Sequence, residues 1–203
     1  IGLQSFDDRD LQILGRMHNV EDFYTSYRLA REAGFKNINI DLMFSTPKQT
    51  YTRWMDNIQK AIILGPEHIS LYSLKYEEGT EFYRMLEAGK LKENDENIDR
   101  KMFWDALNNL KEIGYNHYEI SNVALKGKEC RHNLKYWSMD EYLGFGVSAS
   151  SFFRGQRYTN VKTLDAYVNN IKQGSSVILE QNVNTESDNI SEYMFTGLRK
   201  IEG

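Results

Sequence analysis

The chain has 203 residues, 40% of them apolar and 27% charged, with a formal net charge of -4 at pH 7. This is the composition of a globular protein with one substantial core, and its interleaved charges leave no basic patch for a phosphate backbone, so nucleic acid is excluded as an expected partner. No run approaches the roughly 18 apolar residues of a membrane span, no basic-then-apolar leader is present, and the single cysteine, Cys130, rules out an internal disulfide or a multi-thiolate metal site, which makes a cytoplasmic location the expectation.

Ile1 to Phe6 reads as an apolar strand with no lead-in loop, so the chain is expected to be an excised piece of a longer fold. Glu21 to Ala33 carries Phe23, Tyr27, Ala30 and Ala33 at helical spacing and stops at Gly34. Asn37 to Phe44 alternates Ile38, Ile40 and Leu42 with polar residues, as a strand does, and Pro47 ends it. A helix follows from about Tyr51 to Leu64, with Trp54, Ile58, Ala61 and Ile62 on its apolar side, and His68 to Leu74 is a strand rich in β-branched and aromatic residues. Strands separated by helices long enough to cross over are expected to be parallel, with right-handed connections.

In such α/β folds reactive groups gather at the C-terminal ends of strands, where Gln4, Asp41 and Ser73 are expected to lie. Beyond them the repeat breaks down. Thr80 can cap a short helix through Ala88, and a long helix from about Asp95 to Ile113 carries a broad apolar face assigned to the core. Tyr115 to Ser121 reads as a strand, Phe145 to Phe153 and Gln156 to Thr159 as a hairpin turning at Arg154-Gly155, and Thr163 to Gln173 and Ser187 to Lys200 as helices.

Two constellations carry chemistry. Gln4, Arg16 and Asp41 combine a neutral hydrogen-bonding amide, a fixed cation and a carboxylate, a set suited to a zwitterionic ligand; Arg16 and Asp41 could equally form a structural ion pair. In the run Arg131 to Trp137, His132 and Tyr136 stand four residues apart, so a helical turn puts them on one face with Trp137 beside it, either as a haem-iron ligand set or as ordinary aromatic packing. A third segment, Gly144 to Ser150, is rich in small residues; it lacks the order of a dinucleotide fingerprint, and close strand packing is the better account.

The blocks Gly2-Leu3-Gln4-Ser5-Phe6-Asp7, Leu14-Gly15-Arg16-Met17-His18, Ala33 to Met43, Glu67 to Leu74, Glu78-Gly79-Thr80, Tyr118-Glu119-Ile120-Ser121-Asn122 and Tyr142-Leu143-Gly144-Phe145-Gly146 together resemble HemW-type radical S-adenosylmethionine (SAM) proteins and the related oxygen-independent coproporphyrinogen III oxidases. The resemblance covers nearly the whole chain. It implies a partial (β/α) barrel of parallel strands with an α/β C-terminal extension, divided into residues 1-90 and 91-203. It also implies that Gln4, Arg16 and Asp41 contact SAM, that the backbone at Met43 and Lys75 lines the adenosine pocket, and that the His-Asn-x-x-Tyr-Trp run (His132, Asn133, Tyr136 and Trp137) binds haem. The family's Cys-x-x-x-Cys-x-x-Cys loop, which holds a [4Fe-4S] cluster, has no counterpart here, so no catalytic residue and no metal ligand is expected in this piece, and it should be unable to cleave SAM. The function implied is that of a haem chaperone delivering haem to an acceptor protein, which could be membrane-associated; the alternative is radical oxidative decarboxylation of a coproporphyrinogen.

Overall fold

The structure, a computed structural model, describes residues 1-202. Packing divides the chain into two compact units, Ile1–Glu129 and a second from Cys130 onward. This boundary differs from the division expected at 90/91, because the long helix and hairpin after residue 90 pack on the first sheet.

In the first unit, α1 (Asp8–Ile13) is followed by α2 (Val20–Glu32), β1 (Asn39–Phe44), α3 (Tyr51–Leu64), β2 (His68–Ser73), α4 (Glu81–Glu87), α5 (Glu96–Glu112), β3 (Tyr115–Glu119) and β4 (Asn122–Leu125). Each long helix starts where its sequence provides an acceptor for unpaired N–H groups. Asn19 and Asp22 form a reciprocal capping box on α2, Thr50 accepts from the Arg53 amide at the start of α3, and Gly65 ends α3 in the left-handed region at φ 63°.

The four strands form one sheet in the order β1-β2-β4-β3. β1 and β2 pair in parallel from Asn39↔His68 to Phe44↔Ser73, the crossover strand pair that the alternation of strands and helices implied. The rest differs from an all-parallel expectation. What reads as one strand from Tyr115 to Ser121 is the first arm of a hairpin, and β4 returns antiparallel between β2 and β3. Residues Val123 and Ala124 are buried, so this short arm has no alternation by which to recognise it. The opening segment also departs from a regular strand. It makes a single parallel bridge, Gln4↔Leu42, and then turns into α1, which Asp7 caps by accepting from the Arg9 amide.

One face of the sheet is dry. Ile40, Leu42, Phe44, Ile69, Leu71 and Val123 pack against Trp54, Ile58 and Ala61 of α3 and Met102, Ala106 and Leu110 of α5. Trp54 is fully buried, and its indole N–H donates to the Met102 carbonyl at 2.8 Å, so the largest core side chain leaves no unpaired polar atom. The helical faces read from the sequence are the ones that make this core.

The second unit contains α6 (Arg131–Trp137), β5 (Ser150–Phe153), β6 (Gln156–Asn160), α7 (Leu164–Lys172), β7 (Ile178–Val183) and α8 (Glu186–Gly197). Its sheet runs β5-β6-β7, all antiparallel. The β5–β6 hairpin turns at Arg154 and Gly155, whose φ values of 52° and 70° are those of the tight turn that matches strand twist. β7, exposed along its whole length, has no buried stripe to announce it in the sequence. At Gly144 an added Cβ would stand 2.2 Å from the Ser150 carbonyl oxygen, so close backbone approach is the reason for glycine there. No helix among the described residues is long and apolar enough to cross a membrane.

Candidate functional site

The first site is built on the open face of the first sheet. Along β1 the side chains alternate, with Ile40, Leu42 and Phe44 buried on the helix side and Asn39, Asp41 and Met43 half-buried on the other. In register beside Asn39 and Asp41 on β2 stand His68 and Ser70. Polar side chains therefore face one another across two adjacent strands.

Beyond β1 lies the Ile1 to Gln4 segment. Asp41 donates its amide to the Ile1 carbonyl (3.0 Å), Gln4 donates to the Asp41 carbonyl (2.7 Å), and Met43 donates to the Gln4 carbonyl (2.8 Å). These bonds hold Gln4 at φ 72°, a left-handed conformation that costs a non-glycine residue about 1 kcal/mol or more. The segment is fixed from behind by a buried cluster. The Ser5 hydroxyl and the Gln49 amide donate to Asp10, the Arg53 guanidinium reaches Asp10 at 2.7 Å, and the Phe6 amide donates to the Asn57 side chain.

Gln4 and Asp41 converge at Gly2. A Cβ at Gly2 would lie 2.9 Å from Gln4 Nε2 and 3.8 Å from Asp41 Oδ2, so the missing side chain leaves room for both groups. Asp41 Oδ1 accepts from Asn39 Nδ2 at 2.7 Å. Its Oδ2 and the Gln4 side-chain amide make no hydrogen bond among the described residues, which leaves one acceptor oxygen and one amide side by side at Gly2.

The expectations for the neighbouring residues are modified. Asp41 is not at the C-terminal end of its strand, because pairing with β2 continues to Phe44; it lines the sheet face, whereas Ser73 does end β2. Arg16 is exposed after α1 and forms no ion pair with Asp41 among the described residues. The Met43 amide is consumed by Gln4, and its carbonyl accepts only a long 3.4 Å bond from Gln49. Lys75 is exposed in the loop that leaves β2, next to Leu74, whose amide bonds the Phe44 carbonyl.

Asn39, His68, Ser70 and Tyr118 were not singled out from the sequence. His68 bonds Asn39 Oδ1 through Nδ1 and the Tyr118 hydroxyl through Nε2, each at 2.6 Å, and the Ser70 hydroxyl donates to Asn39 Oδ1 at 3.2 Å. Burial pushes the His68 imidazole down to about 4, against the pull of the Asp41 and Glu129 carboxylates, so it is neutral at pH 7. The signal was available in the period-two spacing of Asn39-x-Asp41 and His68-x-Ser70 between buried aliphatics.

The second site lies within the second unit. On α6 the His132 and Tyr136 rings meet edge to face with centroids 4.8 Å apart, and Tyr136 meets Tyr142 in the same way at 4.5 Å. Arg157 donates to the Tyr142 hydroxyl at 3.4 Å and is clamped by Glu192, whose carboxyl the guanidinium holds below the usual range. His132 is exposed at the free end of this row and makes no hydrogen bond among the described residues. Asn133 is half-buried. Trp137 does not share the His132 face: Arg199 covers its ring at 4.1 Å, and its buried indole N–H has no partner among the described residues. The small-residue segment that follows is used for packing, the Gly146 amide donating to the Tyr167 hydroxyl. No group of three or more His, Cys, Asp or Glu among the described residues could hold a metal ion.

Comparison with known proteins places this geometry. No family model matches the chain. Among solved structures, the radical SAM enzyme coproporphyrinogen III oxidase HemN of Escherichia coli superimposes with a TM-score of 0.77 over 98% of this chain and 48% of that one, at 20% identity. The fold is thus the α/β fold of a radical SAM protein. The sequence identifies the type within it. The chain is 38% identical over 202 residues to the haem chaperone HemW of Bacillus subtilis (strain 168), 35% over 203 residues to that of Lactococcus lactis, and 36% over 212 residues to that of Haemophilus influenzae, with all of this chain covered in each case and 53%, 53% and 52% of the relative. The chain is similar over its whole length to HemW-type radical SAM proteins, and it spans about half the length of the curated relatives it matches.

Proposed function

We propose that this chain is the haem-handling part of a haem chaperone, with His132 as the axial iron ligand and Tyr136 and Asn133 beside it. The observation that carries the reading is the exposed His132 imidazole, free of hydrogen bonds and braced edge-on by Tyr136, in a chain similar over its full length to HemW proteins. Neutral imidazole is a good ligand for haem iron, and a ring already braced on one side loses little freedom when it binds. Trp137 serves the fold of the second unit in this reading. An acceptor protein takes the haem onward. The oxidase alternative rests on a likeness of fold alone and has no observation of its own in its favour.

The same reading assigns SAM to the open face of the first sheet. The donor set at Gly2 suits it: the Gln4 amide and Asp41 Oδ2 can hold the hydroxyls of an adenosyl group, with Met43 and Lys75 at its border and exposed Arg16 reaching a carboxylate. A [4Fe-4S] cluster needs several thiolates and this chain has one cysteine, so the cluster, which supplies the electron for SAM cleavage when bound, is assigned to residues outside these 203.

The test is a haem titration of the chain followed at the Soret band. Saturable binding is expected for the unaltered chain and for Trp137→Phe, and loss of it for His132→Ala. Equal binding by His132→Ala, or none by the unaltered chain, overturns the assignment.

A further inference from the structure

The side chains on the open face of the first sheet form a line of hydrogen bonds that ends on Asp41, and its donors can be ordered. A carboxylate only accepts, so the Asn39 atom 2.7 Å from Asp41 Oδ1 is the amide nitrogen. The amide oxygen then faces His68, whose Nδ1 must carry the proton. A neutral imidazole has one N–H, which leaves Nε2 to accept from the Tyr118 hydroxyl. The Ser70 hydroxyl fills the second lone pair of Asn39 Oδ1. The links to His68 cross between elements already fixed by the sheet, with Asn39 on β1, His68 on β2 and Tyr118 on β3, while the Asn39–Asp41 link runs along β1.

We propose that His68 is a positioning residue for Asp41: as the Nδ1–H tautomer, held at Nε2 by Tyr118, it anchors the Asn39 amide so that one Asp41 oxygen is held and the other is presented beside Gln4. The inference rests on the reading of Gln4 and Asp41 as the ligand-binding pair. It gives a reason for a buried histidine, 4% exposed, beside the equally buried Ser70. Its neutrality follows from the same burial. Without the Nδ1–H donor the Asn39 oxygen loses its 2.6 Å partner, and the amide that holds Asp41 is anchored on its oxygen side by the longer Ser70 bond alone.

The experiment uses the full 203-residue chain, uniformly labelled with 15N. Long-range 1H–15N correlation at pH 7 is expected to show His68 protonated at Nδ1 and bare at Nε2; protonation at Nε2 overturns the proposal. His68→Gln, which loses the Nδ1 donor, is expected to speed exchange of the Asn39 side-chain amide protons by roughly tenfold or more, and His68→Asn, whose amide nitrogen takes the place of Nδ1, to restore slow exchange. Thermal melts of both variants identify any loss of fold. If both variants stay folded and exchange like the parent, the proposal fails. A titration with S-adenosylhomocysteine separates the two readings. Binding weakened roughly tenfold in His68→Gln and recovered in His68→Asn supports both, and unchanged binding in His68→Gln overturns the positioning role. No binding by the parent, with the tautomer and exchange results as expected, overturns the ligand reading and leaves the positioning of Asp41 standing.

Discussion

Arg53 on α3 places its guanidinium 2.7 Å from Asp10, a carboxylate with no solvent exposure. This pair, with Ser5 and Gln49, ties the segment that carries Gln4 to the body of the first unit. Removing one partner strands a buried charge, which costs more than the intact pair contributes. Arg53→Met is expected to destabilise the chain by roughly 3 kcal/mol in urea unfolding. Adding Asp10→Asn should recover part of that loss, because the stranded charge is then gone.

Gln4 is held at positive φ by its bonds to Asp41 and Met43. Glycine adopts that conformation without penalty, and a β-branched side chain resists it most. Gln4→Gly is expected to be as stable as the parent within about 1 kcal/mol, while Gln4→Val loses about 1–2 kcal/mol more. Urea midpoints for the pair measure the strain stored beside the candidate ligand site.

The buried imidazole of His68 makes stability depend on pH with a definite sign. Its folded value of about 4 lies below the ordinary 6.5, so between these values the unfolded chain binds a proton that the folded chain refuses. Stability contributed by neutral His68 is complete above pH 6.5 and is lost as pH falls toward 4, on the order of 3 kcal/mol in all. Asp7, held down to about 2 chiefly by its hydrogen bond from Arg9, acts only below 3.8 and leaves this window clear. Denaturation at pH 7 and pH 5 should show the loss in the parent chain and a flatter profile in His68→Gln.

At Gly144 the obstacle is a backbone carbonyl, the oxygen of Ser150, which cannot rotate aside as a side chain could. Gly144→Ala is expected to cost roughly 2–3 kcal/mol. The loss should be confined to the second unit, seen as faster amide exchange in β5 and β6 with β1 and β2 unaffected.

The long helices were legible because each announces itself locally, whereas the short α1 was not read from the sequence. Thr50, Trp54, Ile58, Ala61 and Gly65 define the cap, face and stop of α3 without reference to anything else. The β5–β6 hairpin was legible for the same reason, since Arg154-Gly155 suits only a tight turn. β4 and β7 were not: the first is buried without alternation and the second is exposed along its whole length, so neither has a period to detect. The candidate site was half legible. Gln4, Asp41 and His132 carry recognisable chemistry, but Asn39 and His68 matter only because register places them side by side, and pairing between strands remote in sequence has no local signature.

The sequence by itself determined where the long helices lie, which helical faces are apolar, and the family that the run of motifs resembles, because these depend on residue order over a few turns. Only the tertiary structure decided that Gln4 and Asp41 meet beside Gly2, that Arg16 makes no ion pair with Asp41 among the described residues, that His68 is wired to Asp41 through Asn39, and that Trp137 turns away from His132 toward Arg199. Those outcomes depend on strand register and on the competition of buried polar groups for partners, which residues distant in the chain settle only once they are packed.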